Sequence, residues 1–156
     1  MKDAIEQPAI GCSCWEAKMK PEEVDQLLAE KRSEHPNAII QVIGTRSAPN
    51  ARMVEMVAAQ TLMAVKSGAK LAERPELDLL LRLAGTRQIG EAIRRVGYKA
   101  KGKRLFLVAA SETDGGLSRL RKEIAKDRRF VVVRGKELAS GDLEKVEAAA
   151  LLAIRL

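Results

Sequence analysis

A proline and two glycines divide the stretch Pro75–Gly97 into two short helices that meet at a corner. Proline is tolerated in the first turn of a helix, where the N–H it lacks has no partner, and glycine suits the left-handed position just past a helix end. Pro75-Glu-Leu-Asp-Leu-Leu-Leu-Arg-Leu-Ala84 therefore reads as one helix stopped at Gly85. Thr86 offers a hydroxyl to cap a second helix, which carries Arg94 and Arg95 in its last turn and ends at Gly97. Arg87 and Gln88 then fall in the first turn after the corner, beside N–H groups without intrahelical partners, a place that suits an anion such as a phosphate. A capped helical hairpin with a solvated arginine carries the same residues.

The rest of the chain alternates strands and helices around this corner. Ala9–Trp15 lacks helical periodicity and reads as a strand, and Pro21-Glu22-Glu23 opens a helix that stops near His35-Pro36. Ala38–Gly44 is β-branched and nearly all apolar, the pattern of a strand buried on both faces. A small-residue loop leads to Asn50, a cap for a helix over about Ala51 to Ser67 that is apolar nearly all round and ends at Gly68. Beyond the corner, Leu105–Ala109 and Phe130–Val133 read as strands. Between them Leu117, Leu120 and Ile124 form an apolar stripe opposite Arg119, Arg121, Lys122 and Lys126.

A last helix starts at Ser140-Gly141-Asp142, with Ser140 or Asp142 as cap, and its final turns Ala148–Ile154 are apolar on every side. A terminal helix that only covers its own sheet needs one apolar stripe, so the surplus implies a docking partner. The order strand, helix, strand, three helices, strand, helix, strand, helix describes a single α/β (α+β) domain over residues 1–156. Its expected core is a mixed sheet of about four strands flanked by helices, with a partner-docking C-terminal helix.

Composition narrows the function. Aromatic residues make up only 3% of the chain, too few for a base-stacking platform. Cys12 and Cys14 point to one side of an extended segment, but there is no second cysteine pair and His35 is the only histidine, so no zinc site is expected. Cys12 or Cys14 with His35 lacks a nucleophile motif, the acids Glu73, Glu76 and Asp78 suit a helix N-terminus, and no glycine-rich nucleotide fingerprint occurs. The chain therefore does not read as an enzyme, and neither metal nor cofactor is expected. Without an apolar run of about 18 residues or a basic-then-apolar leader it reads as cytoplasmic, with no membrane partner. The net charge of +7 is concentrated between residues 98 and 136, which hold 12 basic and 4 acidic groups, an asymmetry suited to a polyanion.

Glu76 with Leu79-Leu80, then Leu83-Ala84-Gly85-Thr86-Arg87-Gln88-Ile89, then Ala92-Ile93 and Gly97, resemble the signature of the small kinase-binding subunit of the KEOPS (EKC) complex, the PRPK-binding-protein family. The similarity extends more loosely upstream through Met53 to Lys70. The resemblance implies a non-catalytic, regulatory subunit that supports threonylcarbamoyladenosine modification of tRNA, with the chemistry in other subunits. It implies docking on the small kinase of the complex through the terminal helix, at Leu143, Val146, Ala150, Leu151 and Ile154, and capture of the tRNA's single-stranded acceptor end. Arg87 is carried by the motif as a phosphate ligand. Lys66, Lys70, Arg82 and Arg94 join it as tRNA-binding candidates on charge and proximity. A stand-alone basic RNA-binding or ribosome-associated module is the alternative.

Overall fold

A computed structural model of the protein describes residues 10–44, 50–98 and 104–133. The chain runs β1 (Gly11–Ala17), α1 (Pro21–Glu34), β2 (Ile39–Gly44), α2 (Ala51–Ser67), α3 (Pro75–Ala84), α4 (Ile89–Val96), β3 (Leu105–Ser111), a single 3₁₀ turn (Asp114–Leu117), α5 (Ser118–Ala125) and β4 (Phe130–Val132). This is the expected order through β4. The expected terminal helix and the five residues expected to dock on a kinase lie outside the described residues, as does most of the loop before Asn50. Among the described residues no helix is long and apolar enough to cross a membrane.

The strands lie in the order β2-β3-β1-β4. Each neighbouring pair is antiparallel, with Cys14 opposite Val108, Gln41 opposite Val108 on its other side, and Glu16 opposite Val131. The sheet is therefore antiparallel throughout where a mixed one was expected. The helical crossovers do orient β1 and β2 alike, and β3 and β4 alike, but each such pair is split by a strand of opposite direction. β1-α1-β2 straddles β3, and β3-α5-β4 straddles β1. Two interlocked split β-α-β units of this kind make the ferredoxin-like order. Helices α2, α3 and α4 are inserted between the two halves.

Strand alternation sorts the apolar residues into two layers. Trp15, Ile40, Val42, Leu105 and Leu107 face Val24 and Leu27 of α1 and Leu120 and Ile124 of α5. Cys14, Ile39, Ile43, Phe106 and Val108 face α2, α3 and α4, where Val54, Val57, Leu79 and Leu81 are fully enclosed. β2 is buried on both faces, as its composition required. α2 departs from expectation at its far end: Met53 is in the core, whereas Met63 stands in solvent.

Caps fix the insertion. Asn50 accepts from Arg52 N at 2.9 Å, and both Gly68 (φ 84°) and Gly85 (φ 69°) end their helices in the left-handed region. β2 is an edge strand, and its backbone is guarded by side chains: Arg32 Nε donates to Ile40 O (3.0 Å) and Val42 N donates to Gln41 Oε1 (2.9 Å). Ile43 also bridges to Gly97 just past α4.

Gly90 in α4 and Gly97 just past it carry opposite expectations. A Cβ on Gly97 would collide with Ile93 O, a backbone atom that cannot swing away, whereas one on Gly90 meets nothing within 4 Å. Gly97→Ala should therefore destabilise by roughly 1–3 kcal/mol. Gly90→Ala should stabilise by about 0.4–1 kcal/mol by restricting the unfolded chain. Urea unfolding of the two variants, with midpoints moving in opposite directions, is the check.

Candidate functional site

The corner is built by backbone hydrogen bonds around Gly85. Gly85 N and Thr86 N both donate to Leu81 O, at 2.9 and 3.2 Å, which closes α3 and turns the chain. Thr86 Oγ1 accepts from Gln88 N at 3.2 Å, so the hydroxyl does bind a backbone N–H, but the helix starts later than expected. Gln88 is the cap of α4 and its side chain makes no capping bond. Arg87 and Gln88 thus stand in the connection before the helix, where Arg87 is exposed. The motif is a four-residue step between helices, Gly85 to Gln88, held by the Gly85 turn and by the Thr86 hydroxyl.

At its far end α4 is tied back to α3. Arg95 donates through Nη1 to Ala84 O (3.1 Å) and through Nε to Glu91 (2.8 Å), and Arg94 Nε donates to the same carboxylate at 3.1 Å. The hydrogen bond from Arg94 holds the Glu91 carboxyl below the usual range. Arg94 is therefore a surface charge already matched by an acid. Lys70 pairs with Glu73 at 3.2 Å and Lys66 with Glu112 at 3.6 Å, both flanking the end of α2.

Arg82, read from the sequence as a phosphate ligand, is not on the surface. It is 3% exposed and its Nε lies 2.6 Å from Oδ1 of Asp78, which is 0% exposed. Asp78 Oδ2 also accepts from Leu71 N (2.5 Å) and Ala72 N (3.3 Å), while Arg82 Nη2 donates to Ala69 O (3.0 Å). The pair lies under the α2–α3 connection and organises its backbone. Asp78 suits the positive end of the helix dipole, but four-residue spacing to Arg82 within Leu79-Leu80-Leu81 was the signal of a partnered pair.

A second cluster escaped sequence reasoning because its members are 88 residues apart. His35, the C-cap of α1, places Nε2 3.0 Å from Glu123 Oε1 on α5. Lys31 Nζ reaches Glu123 (3.0 Å) and Glu34 (3.2 Å), and Arg119 Nε reaches the other Glu123 oxygen at 3.1 Å. The His35 hydrogen bond, with help from Lys31 and Arg119, pulls the Glu123 carboxyl from about 4.5 to about 2. Glu34 and His35 border a cleft of about 630 Å³ that Ser111, Thr113 and Gly116 close from the β3 side. Glu34, His35 and Glu123 bring metal-capable atoms within 4.8 Å of one another, but the Lys31 ammonium already sits among these carboxylates. The cluster is an ion-pair hub joining α1 to α5.

Both cysteines lie on the α2 side of β1, as their spacing required. Burial, reinforced by Glu55 and Glu16, pushes the Cys14 thiol far up, the wrong direction for a nucleophile. Cys12 is half-buried and lines a smaller cleft of about 300 Å³ with Arg52 and Glu55.

Two outcomes follow from these pairs. Arg82→Met leaves Asp78 charged and buried without its partner, and should cost about 3–5 kcal/mol in urea unfolding. Glu123 has a depressed carboxyl, so its contribution is complete above pH 4.5 and is lost as pH falls through about 2. The melting temperature of Glu123→Gln should therefore fall below that of the parent above pH 4.5 and converge with it near pH 2. A gap that stays constant across this range would refute the assignment.

Neither a protein-family model nor any of the curated proteins compared matches this chain.

Proposed function

We propose that the chain is a non-catalytic subunit of a KEOPS-type assembly, acting in the cytoplasm to support threonylcarbamoyladenosine modification of tRNA. It recruits tRNA by its single-stranded acceptor end and binds and regulates the small kinase through its C-terminal segment, with Leu143, Val146, Ala150, Leu151 and Ile154 as the docking residues. The observation that carries the RNA half is the corner at Gly85–Ile89. The residues that resemble the family signature form an exposed step whose backbone is fixed on both sides, with Arg87 on it.

The chemistry of that step suits a phosphate. The first-turn N–H groups of α4 have no side-chain cap, and the helix dipole favours negative charge there. Gly90 has open space where a side chain would stand, so a ligand can approach the backbone closely. Arg87 adds a fork of donors beside it. Lys66, Lys70 and Arg94 contribute surrounding charge, each tempered by its own acid. Arg82 has no part in this reading, because its guanidinium is spent on Asp78.

The alternative, a stand-alone basic RNA-binding or ribosome-associated module, differs in what it requires of the RNA. A labelled tRNA, intact and with its single-stranded acceptor tail removed, separates the two. The proposal expects trimming to abolish binding at moderate salt and Arg87→Ala to weaken the intact tRNA at least tenfold. Equal binding of both forms, with Arg87→Ala changing only the salt slope by about one unit, would support the alternative.

A further inference from the structure

We infer that the outer face of α5 is a second RNA contact, one that takes the sugar-phosphate backbone of a duplex stem. This deepens the RNA half of the proposed function and rests on it for the choice of ligand.

α5 turns Leu120 and Ile124 into the core beside Leu117, and these three are at most 1% exposed. At 3.6 residues per turn, Arg119, Lys122 and Lys126 fall on the opposite side, and all three are exposed. Arg128 extends the stripe into the turn before β4 and is exposed as well. From Arg119 to Lys126 the stripe is about 10 Å long at 1.5 Å per residue, the length of about three nucleotide steps of one strand.

What distinguishes this stripe is the state of its charges. Arg119 is matched by Glu123, but among the described residues Lys122, Lys126 and Arg128 face no carboxylate. Lys66, Lys70 and Arg94, by contrast, each have an acid within 3.6 Å. Of the acids beside the stripe, Glu123 is bonded to His35 and Lys31, and Asp127 is paired with Arg129. An unmatched row of cations on a rigid helix is where condensed counterions of a polyanion are released most readily.

The ligand follows from what the surface lacks. α5 carries no aromatic side chain to stack on a base, so it reads backbone and not sequence. Its apolar side is enclosed in the core and is not free to enter a lipid layer, which leaves a membrane without the apolar contact that interfacial helices use. α5 lies across the sheet from the α3–α4 corner, so the two contacts are separable by mutation.

The test uses the full chain carrying Lys122→Gln, Lys126→Gln and Arg128→Gln together, against a labelled RNA hairpin without a single-stranded tail and against intact and tail-trimmed tRNA, over a salt series. All three positions are exposed, and an unchanged melting temperature verifies the fold. At low salt, where tail-free RNA still binds, the hairpin affinity should fall at least tenfold and its log–log salt slope by about 2–3 units, while the preference for intact over trimmed tRNA at moderate salt is kept. Arg87→Ala should do the reverse, losing the tail preference and keeping the hairpin slope. An unchanged hairpin slope in the triple variant overturns the α5 contact and leaves tail capture standing. Loss of the slope in a protein that never distinguished the trimmed tRNA overturns tail capture and keeps α5. Binding of the parent chain to anionic phosphatidylserine vesicles but not to the hairpin overturns the choice of RNA.

Discussion

Every layer of this protein meets at β3. It is hydrogen-bonded to β1 on one side and β2 on the other, and all seven of its residues are buried. A backbone enclosed on both faces has no water to fall back on, so each of its N–H and C=O groups must find a strand partner. Leu105, Leu107 and Ala109 serve the α1/α5 layer, and Phe106, Val108 and Ala110 serve the α2–α4 layer. The two proposed contact elements are placed by this sheet: the corner sits on one layer and the α5 stripe on the other.

Within the inserted layer the Asp78–Arg82 pair has a different role from the apolar contacts. Burying two charges is costly, and the mutual attraction of an ion pair offsets that cost only when the remaining polar atoms are also satisfied. Here Asp78 holds two N–H groups of the α2–α3 connection and Arg82 holds one of its carbonyls. The pair thereby replaces water for a stretch of irregular backbone that runs over the core, and it fixes the connection on which Lys70 stands.

Local chemistry was the legible part of this chain. Pro21 and Pro75 start helices, Asn50 caps one, and Gly68 and Gly85 end two, because each is a property of one residue and its immediate neighbours. What depends on residues far apart was not legible. The direction of each strand's neighbours is decided by which strand slots between β1 and β2, and nothing in a strand's own composition records that. The His35–Glu123 contact joins α1 to α5 across most of the chain, and Glu123 alone looked like one acid in a basic helix. Arg82 differs for another reason: its charge alone suggests exposure, whereas its position among leucines speaks for burial. Thr86 was right in chemistry and early in place, since its hydroxyl binds Gln88 N before the helix begins.

The interlocking of the two halves also sets an order of events during synthesis. Among the described residues β1 pairs with strands that lie about a hundred positions later, Gly11 with Ser111 and Ala17 with both Leu105 and Phe130. While the first 98 residues emerge, β1 and β2 have no partner between them, since the strand that joins them is still to be made. The α3–α4 hairpin rests on local contacts and can form early, but α2 packs on β1 and β3, and the sheet must wait for β3 and β4. A nascent chain paused before Leu105 therefore displays two apolar strands with open edges, the state in which chain–chain pairing and chaperone capture compete with folding.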